Sequence, residues 1–266
     1  AMALRLLGEA PIDIHAGGVD LIFPHHENEI AQSEGATGKT FARSWVHVEH
    51  LMVEESSGKT DKMSKSLGNV YNLQDIIDQG FRPSALRYLY LGVHYRKQLR
   101  FSWAAMEQAE ESLRRLTDFL ARVDALAALP ARPANAAVPA RLAEAQKDFG
   151  DHIAADLNTS GALSVLFDLV RELNTAMDAG ELGAADAPAI RATFAQFDQV
   201  LGVLALRKTE DEHPPVPVEE IERLIGARRD ARLARRFAEA DGIRKDLESR
   251  GIILEDTGSV TRWKKK

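Results

Sequence analysis

Lys62, Met63, Ser64, Lys65 and Ser66 form a short basic run, followed at once by Leu67, Gly68 and Asn69. Two lysines three apart among small hydroxyl residues can surround a polyphosphate and stabilise the charge that develops as a phosphate bond breaks. A solvated loop has the same composition, so the run alone decides nothing. His25 and Glu29 stand four apart on a predicted helix that Pro24 would open, so both side chains leave one face. Imidazole nitrogen and carboxylate oxygen are both zinc ligands, although a pair at this spacing also serves as a surface or capping pair. In the run from His15 to Asp20, Gly17 and Gly18 allow a ligand to approach the backbone, and the Asp20 carboxylate can accept hydrogen bonds from ribose hydroxyls. The same residues can simply make a turn, and His15 can be a core histidine. Near the C-terminus, Arg223, Arg228, Arg229, Arg232, Arg235 and Arg236 form a stripe, with Lys264, Lys265 and Lys266 at the end. These groups suit phosphates or unpaired bases, or an ordinary solvated helix face. Trp263 is either a stacking platform or a hairpin core residue.

At 266 residues the chain holds one large domain or two to three small ones, and 45% hydrophobic residues suffice for a packed core. No apolar run is long enough to cross a membrane, and no signal-peptide pattern opens the chain. The absence of cysteine excludes disulfides and thiolate metal sites within the chain, and fits a cytoplasmic protein. The net charge of −6 argues against bulk nucleic-acid binding, but it is unevenly distributed. Residues 216–266 carry +3 and residues 1–215 carry −9, a basic module on an acidic body that favours an anionic partner at the tail.

The elements that must position these residues follow from periodicity. Residues 12–16 alternate around Ile12 and Ile14 and predict a strand, with Gly17 and Gly18 as its turn. A second strand is expected over 45–53, and a loop from Glu54 to Asp61 leads to the lysine run. Strand, helix and loop in this order form an α/β pattern whose sites lie beyond strand ends. From about residue 102 the pattern becomes helical: Leu113, Leu116, Leu120, Val123 and Leu126 share one face. A Pro/Ala-rich break follows at 129–133. Leu163, Leu166, Phe167, Val170, Leu173 and Met177 then predict a further helix, capped by Asn158 or Thr159. Ile190, Phe194, Phe197, Leu201 and Leu204 predict another, which completes a bundle. The segment around His213–Pro217 reads as a stiff linker. Beyond it come one or two helices and a hairpin that pairs Ile252–Leu254 with Val260–Trp263. The fold class is therefore mixed α/β and predominantly α-helical.

Three segments read together resemble a known family. The run Ile12–Glu34, with its Phe23-Pro24-His25-His26-Glu27-Asn28-Glu29 centre, the lysine run, and Gly92–Ser102 are similar to cysteinyl-tRNA synthetase, a class I aminoacyl-tRNA synthetase. The likeness continues to Gly251–Asp256 and Trp263. It implies a partial Rossmann-like catalytic domain over 1–100 and a helical tRNA-binding bundle over 101–206. It further implies a linker over 207–217 and a small α/β anticodon-recognition module over 218–266. The bundle family is named for an Asp-Ala-Leu-Arg motif, which here reads Ser84-Ala85-Leu86-Arg87.

The resemblance also implies roles. Lys62 and Lys65 would neutralise the pyrophosphate leaving ATP, with magnesium sharing that work and Lys65 the more important, while Ser64 and Ser66 shape the loop. Gly17, Gly18 and Asp20, with Lys65, would line the ATP or adenylate pocket. His25 and Glu29 would complete a zinc site with two cysteines. Arg228, Arg229, Arg232, Arg235, Arg236 and Trp263 would face tRNA(Cys). The family's ATP-gripping His-Ile-Gly-His motif and both zinc cysteines have no counterpart here, so the chain aligns with the C-terminal part of the enzyme. It is expected to be inactive in aminoacylation without the N-terminal half. Two alternatives are a ligase joining cysteine to an amino sugar, which would not need residues 216–266, and a non-catalytic tRNA-binding fragment, which would not need both loop lysines.

Overall fold

A computed structural model describes residues 2–54, 60–63, 69–130, 133–212, 217–234, 236–257 and 260–265. Helix α1 (Met2–Leu7) precedes β1 (Ile12–Gly18), α2 (Glu27–Thr37) and β2 (Ala42–Val48). β1 and β2 pair in parallel, with His15 opposite Trp45 and Gly17 opposite His47. Strand alternation places these residues on one face. Gly17 and Gly18 are thus the last paired residues of β1, not the turn expected after it. Pro24 does not open α2. It sits in a π turn (Ile22–His26) after a cis Phe23–Pro24 bond, and α2 starts beyond it. On the sheet face opposite His15, Ile14 and Val48 are exposed, although parallel sheets are normally covered on both faces.

The strand expected over 45–53 is divided between two sheets. β2 ends at Val48, and β3 (Leu51–Glu54) lies between β4 (Thr60–Lys62), antiparallel, and β5 (Leu99–Phe101), parallel. The break falls at Glu49, whose backbone N–H donates to the Tyr95 carbonyl at 2.9 Å, so its pairing is already committed to a different segment. A continuous run of β-forming residues cannot reveal such a change of partner.

Two short helices, α3 (Leu73–Asp78) and α4 (Pro83–Leu91), lead into the bundle. Asn72 caps α3 by accepting from Gln74 and Asp75, and the Asp75 carboxylate accepts from the Asn72 N–H in return. The bundle comprises α5 (Trp103–Ala125), α6 (Val138–Ala154), α7 (Thr159–Asp178), α8 (Ala187–Leu201) and α9 (Leu204–Glu212). The Asn158 side chain accepts from the Gly161 N–H and caps α7. α6 buries Val138, Leu142, Ala145 and Phe149.

Leu204 belongs to α9, not α8. Gly202 ends α8 in the left-handed conformation at φ 62°, and the Asp198 carboxylate accepts from the N–H groups of Val203, Leu204 and Ala205. Residues 207–212, expected as linker, continue α9 and bury Arg207. Val53, Ile76 and Phe101 share one continuous hydrophobic core with the bundle, whose centre includes Phe119, Phe194 and Phe197.

The C-terminal module consists of α10 (Val218–Leu233), α11 (Phe237–Ser249) and the hairpin β6 (Ile252–Thr257) and β7 (Val260–Lys265). Its own small core holds Ile221, Leu247, Ile252 and Leu254. No helix among the described residues is long and apolar enough to cross a membrane.

Candidate functional site

The first site residues meet where the end of β1 faces α2. Glu29 lies on the first turn of α2, and one of its carboxylate oxygens comes within 2.9 Å of His15 Nε2 and 3.8 Å of His25 Nε2. That same oxygen is buried, and among the described residues no donor is aligned to hydrogen-bond it. Proximity without alignment leaves an acceptor lone pair free at a point where imidazole nitrogens converge. His26 joins the group: one ligand atom each from His15, His26 and Glu29 lie within 4.8 Å of one another.

His26 is 3% exposed, and its Nδ1 is 2.8 Å from His47 Nε2, so one ring donates and the other accepts. Burial, reinforced by the neighbouring His15 and His47 rings, pushes the His26 pKa down and favours the neutral imidazole. Trp45 packs against both His15 and His26, with ring centroids at 4.8 and 5.0 Å. The donor set, a carboxylate oxygen and imidazole nitrogens, suits zinc. The sequence reading selected His25 and Glu29 and allowed His15 only a core role. It missed His26 and His47, because the parallel register of β1 and β2 is what brings His47 to the site.

Gly17 serves this cluster directly. A Cβ there would lie 2.7 Å from His26 Cε1 and 2.9 Å from His26 Nε2, so glycine is needed for close approach of the ring. Gly18 and Asp20 are also together: a Cβ on Gly18 would lie 2.4 Å from a carboxylate oxygen of Asp20.

Of the lysine run, Lys62 and Met63 are described; Ser64, Lys65 and Ser66 lie outside the described residues, as do Leu67 and Gly68. Lys62 closes β4 opposite Met52. Its carbonyl accepts from the Asn69 side-chain amide at 3.2 Å, which ties the two ends of the run together. Met63 packs against the bundle core. The exposed Lys62 ammonium lies 2.8 Å from His50 Nε2.

Beside this sheet, the Asp156 carboxylate accepts from the Tyr95 hydroxyl and from Arg96 Nε, each at 2.6 Å. These bonds hold its pKa at about 2 and join the segment after α4 to the α6–α7 turn.

The arginine stripe is divided by the hairpin. Arg228 is 3% exposed and donates to both carboxylate oxygens of Asp256, at 2.9 and 2.7 Å. The pairing holds the Asp256 carboxyl well below the usual carboxylate range. Arg228, expected to face tRNA, is instead buried against the acid that the hairpin places opposite it. Arg232 is half exposed and lies 3.2 Å from the same Asp256. Arg229 is exposed and lies 3.7 Å from the adjacent Asp230. Arg236 pairs with Glu239 at 2.7 Å, and Arg235 lies outside the described residues. Trp263 packs on the module core and donates from Nε1 to Glu222 at 3.1 Å.

Known proteins match this arrangement in order along the chain. The family described as tRNA synthetases class I (C) catalytic domain matches residues 1–111, the DALR domain matches 148–205, and the cysteinyl-tRNA ligase anticodon binding domain matches 215–263. Along its whole length the chain matches the C-terminal portion of cysteine–tRNA ligases. The cysteine–tRNA ligase of Solibacter usitatus is 45% identical over 265 residues, covering 100% of this chain and 54% of the relative. That of Protochlamydia amoebophila is 41% identical over 266 residues, covering 100% and 53%. The chain thus spans about half the length of the curated relatives it matches. Among solved structures, the Agrobacterium radiobacter K84 agnB2 LeuRS, in a ternary complex with tRNA and LeuAMS, is 15% identical. It superposes with a TM-score of 0.57 over 72% of this chain and 26% of its own, a likeness of fold.

Proposed function

We propose that this chain is the part of a cysteine–tRNA ligase that closes the ATP site and reads tRNA(Cys), within an enzyme that activates cysteine as its adenylate and transfers it to tRNA. The observation that supports this best is the succession of catalytic, DALR and anticodon-binding matches along one chain. The anticodon-binding match also disfavours the amino-sugar ligase. The functional divisions proposed are 1–100, a bundle over 101–212 that includes all of α9, and 218–266.

Within this reading Lys62 and Lys65 neutralise charge on the pyrophosphate leaving magnesium-bound ATP, and Ser64 and Ser66 shape their loop. Gly17, Gly18 and Asp20 bound the adenosine side. His25 and Glu29 would hold zinc, and the unpartnered Glu29 oxygen supports that assignment. Zinc takes four ligands, and in this reading thiolates from outside this chain complete the site. When bound, zinc supplies a soft acceptor for the substrate thiolate that the hydroxyl of serine cannot match. His15, His26 and His47 orient Glu29 and His25 around that position. The exposed Arg229, with Arg232, Arg235 and Arg236, offers the phosphate-binding charge of the C-terminal module, and a cytoplasmic location follows from the reaction.

The test is cysteine-dependent ATP–pyrophosphate exchange by the chain alone and mixed with a polypeptide corresponding to the first half of the Solibacter usitatus relative. Exchange is expected only in the mixture and should be lost in Lys65→Ala. No exchange by two folded halves, with tRNA binding retained by this chain, would replace the catalytic reading with a tRNA-binding one.

A further inference from the structure

His50 stands at the corner between β2 and β3, where two backbone bonds hold the chain. The Glu49 N–H donates to Tyr95, and the His50 N–H donates to the Glu49 carboxylate at 3.2 Å. From this corner, one residue before β3, the ring meets Lys62, whose backbone pairs with Met52 of β3. Lys62 Nζ lies 2.8 Å from His50 Nε2. An ammonium has donors and no acceptor, so His50 Nε2 must accept, which places the ring proton on Nδ1.

The Lys62 backbone is fixed as well, by β4 pairing and by the Asn69 amide on its carbonyl. A side chain of four flexible carbons is thereby held at both ends, and the imidazole has no other role in the site already described.

We propose that His50 is a positioning residue for Lys62: its neutral imidazole holds the ammonium of the first loop lysine in place for an anionic phosphate group. The inference rests on the reading of Lys62 as a phosphate-binding lysine. Pre-ordering removes rotamer freedom that would otherwise be lost when the phosphate arrives. His50 itself touches no reacting atom. Its loss therefore lowers the rate of the activation step and leaves cysteine binding intact.

Two measurements test this, one independent of activity. In the first, lysine acylation of the whole chain is followed by peptide mass spectrometry, with Lys208 as internal reference. An accepted hydrogen bond stabilises the unreactive ammonium, so His50→Ala should speed acylation of Lys62 roughly twofold to tenfold. His50→Gln, whose amide oxygen also accepts, should return it toward wild type. In the second, exchange by the reconstituted mixture should show kcat reduced about threefold to thirtyfold in His50→Ala, an unchanged KM for cysteine, and recovery in His50→Gln.

Unchanged Lys62 acylation in His50→Ala would overturn the inference, as would altered acylation with unaltered kcat, or failure of His50→Gln to restore either. Wild-type exchange that survives Lys62→Ala would overturn the role given to Lys62, and this inference with it. Lost exchange in Lys62→Ala with normal exchange in His50→Ala would overturn the inference alone.

Discussion

Replacing Arg228 by alanine should unfold the C-terminal module before the rest of the chain, without a direct effect on nucleic-acid binding. Arg228 is buried and bonded to both oxygens of Asp256, whereas Asp256 is about a third exposed and keeps Arg232 at 3.2 Å. Breaking a fully buried pair costs about 3–5 kcal/mol; the exposure of Asp256 and its second partner reduce this to about 2 kcal/mol. The module core consists of four buried aliphatic residues with four partly buried neighbours, and a module this small has only a few kcal/mol of stability to lose. Hydrogen exchange of the β6 and β7 amides reports its opening directly. A loss of about 2 kcal/mol should accelerate that exchange roughly thirtyfold, while α5 and α8 amides stay unchanged. Arg229→Ala provides the contrast: it should leave hairpin exchange unchanged, weaken tRNA binding, and reduce the salt slope by about 1. If Arg228→Ala left hairpin exchange at its wild-type rate yet weakened tRNA binding as Arg229→Ala does, Arg228 would be a ligand-facing arginine and the structural assignment would fail.

Phe194→Ala should destabilise the bundle by about 3–5 kcal/mol, because Phe194 is fully buried against Phe119 and Phe197; urea unfolding would measure it. Glu210→Ala removes the acceptor for both the N–H and the hydroxyl of the buried Ser84 at the start of α4, and should cost about 1–3 kcal/mol in the same assay. The carboxyl of Asp156 has its pKa lowered to about 2, chiefly by hydrogen bonds from Arg96 and Tyr95. A depressed folded-state pKa stabilises above the unfolded value, and that stability is lost as pH falls from about 4 through about 2. Asp156→Asn should therefore flatten the acid limb of a stability-against-pH curve in that window, and leave its slope near neutrality unchanged. A variant curve parallel to wild type between pH 4 and 2 would contradict the assignment.

Much of this molecule was legible in order along the chain. Apolar spacing identified α5, α7 and α8, Asn158 or Thr159 marked the start of α7, and a C-terminal hairpin was expected, although its strands run further, to Thr257 and Lys265. These features are local: a periodicity, a cap or a turn is written within a few residues of where it acts. The lysine run and the His25–Glu29 pair are local patterns of the same kind. What the chain order concealed was every relation between distant residues. The run over 45–53 looks like one strand, yet Glu49 spends its N–H on Tyr95 and the strand divides between two sheets. Arg228 resembles its exposed neighbours in the stripe until the hairpin sets Asp256 against it. His47 reaches His26 only through the register of β1 on β2, and His50 reaches Lys62 only across β3 and β4. Local patterns determined which elements form. Which side chains became partners was decided by packing, because burial and hydrogen bonding act between surfaces that meet only after the chain has folded.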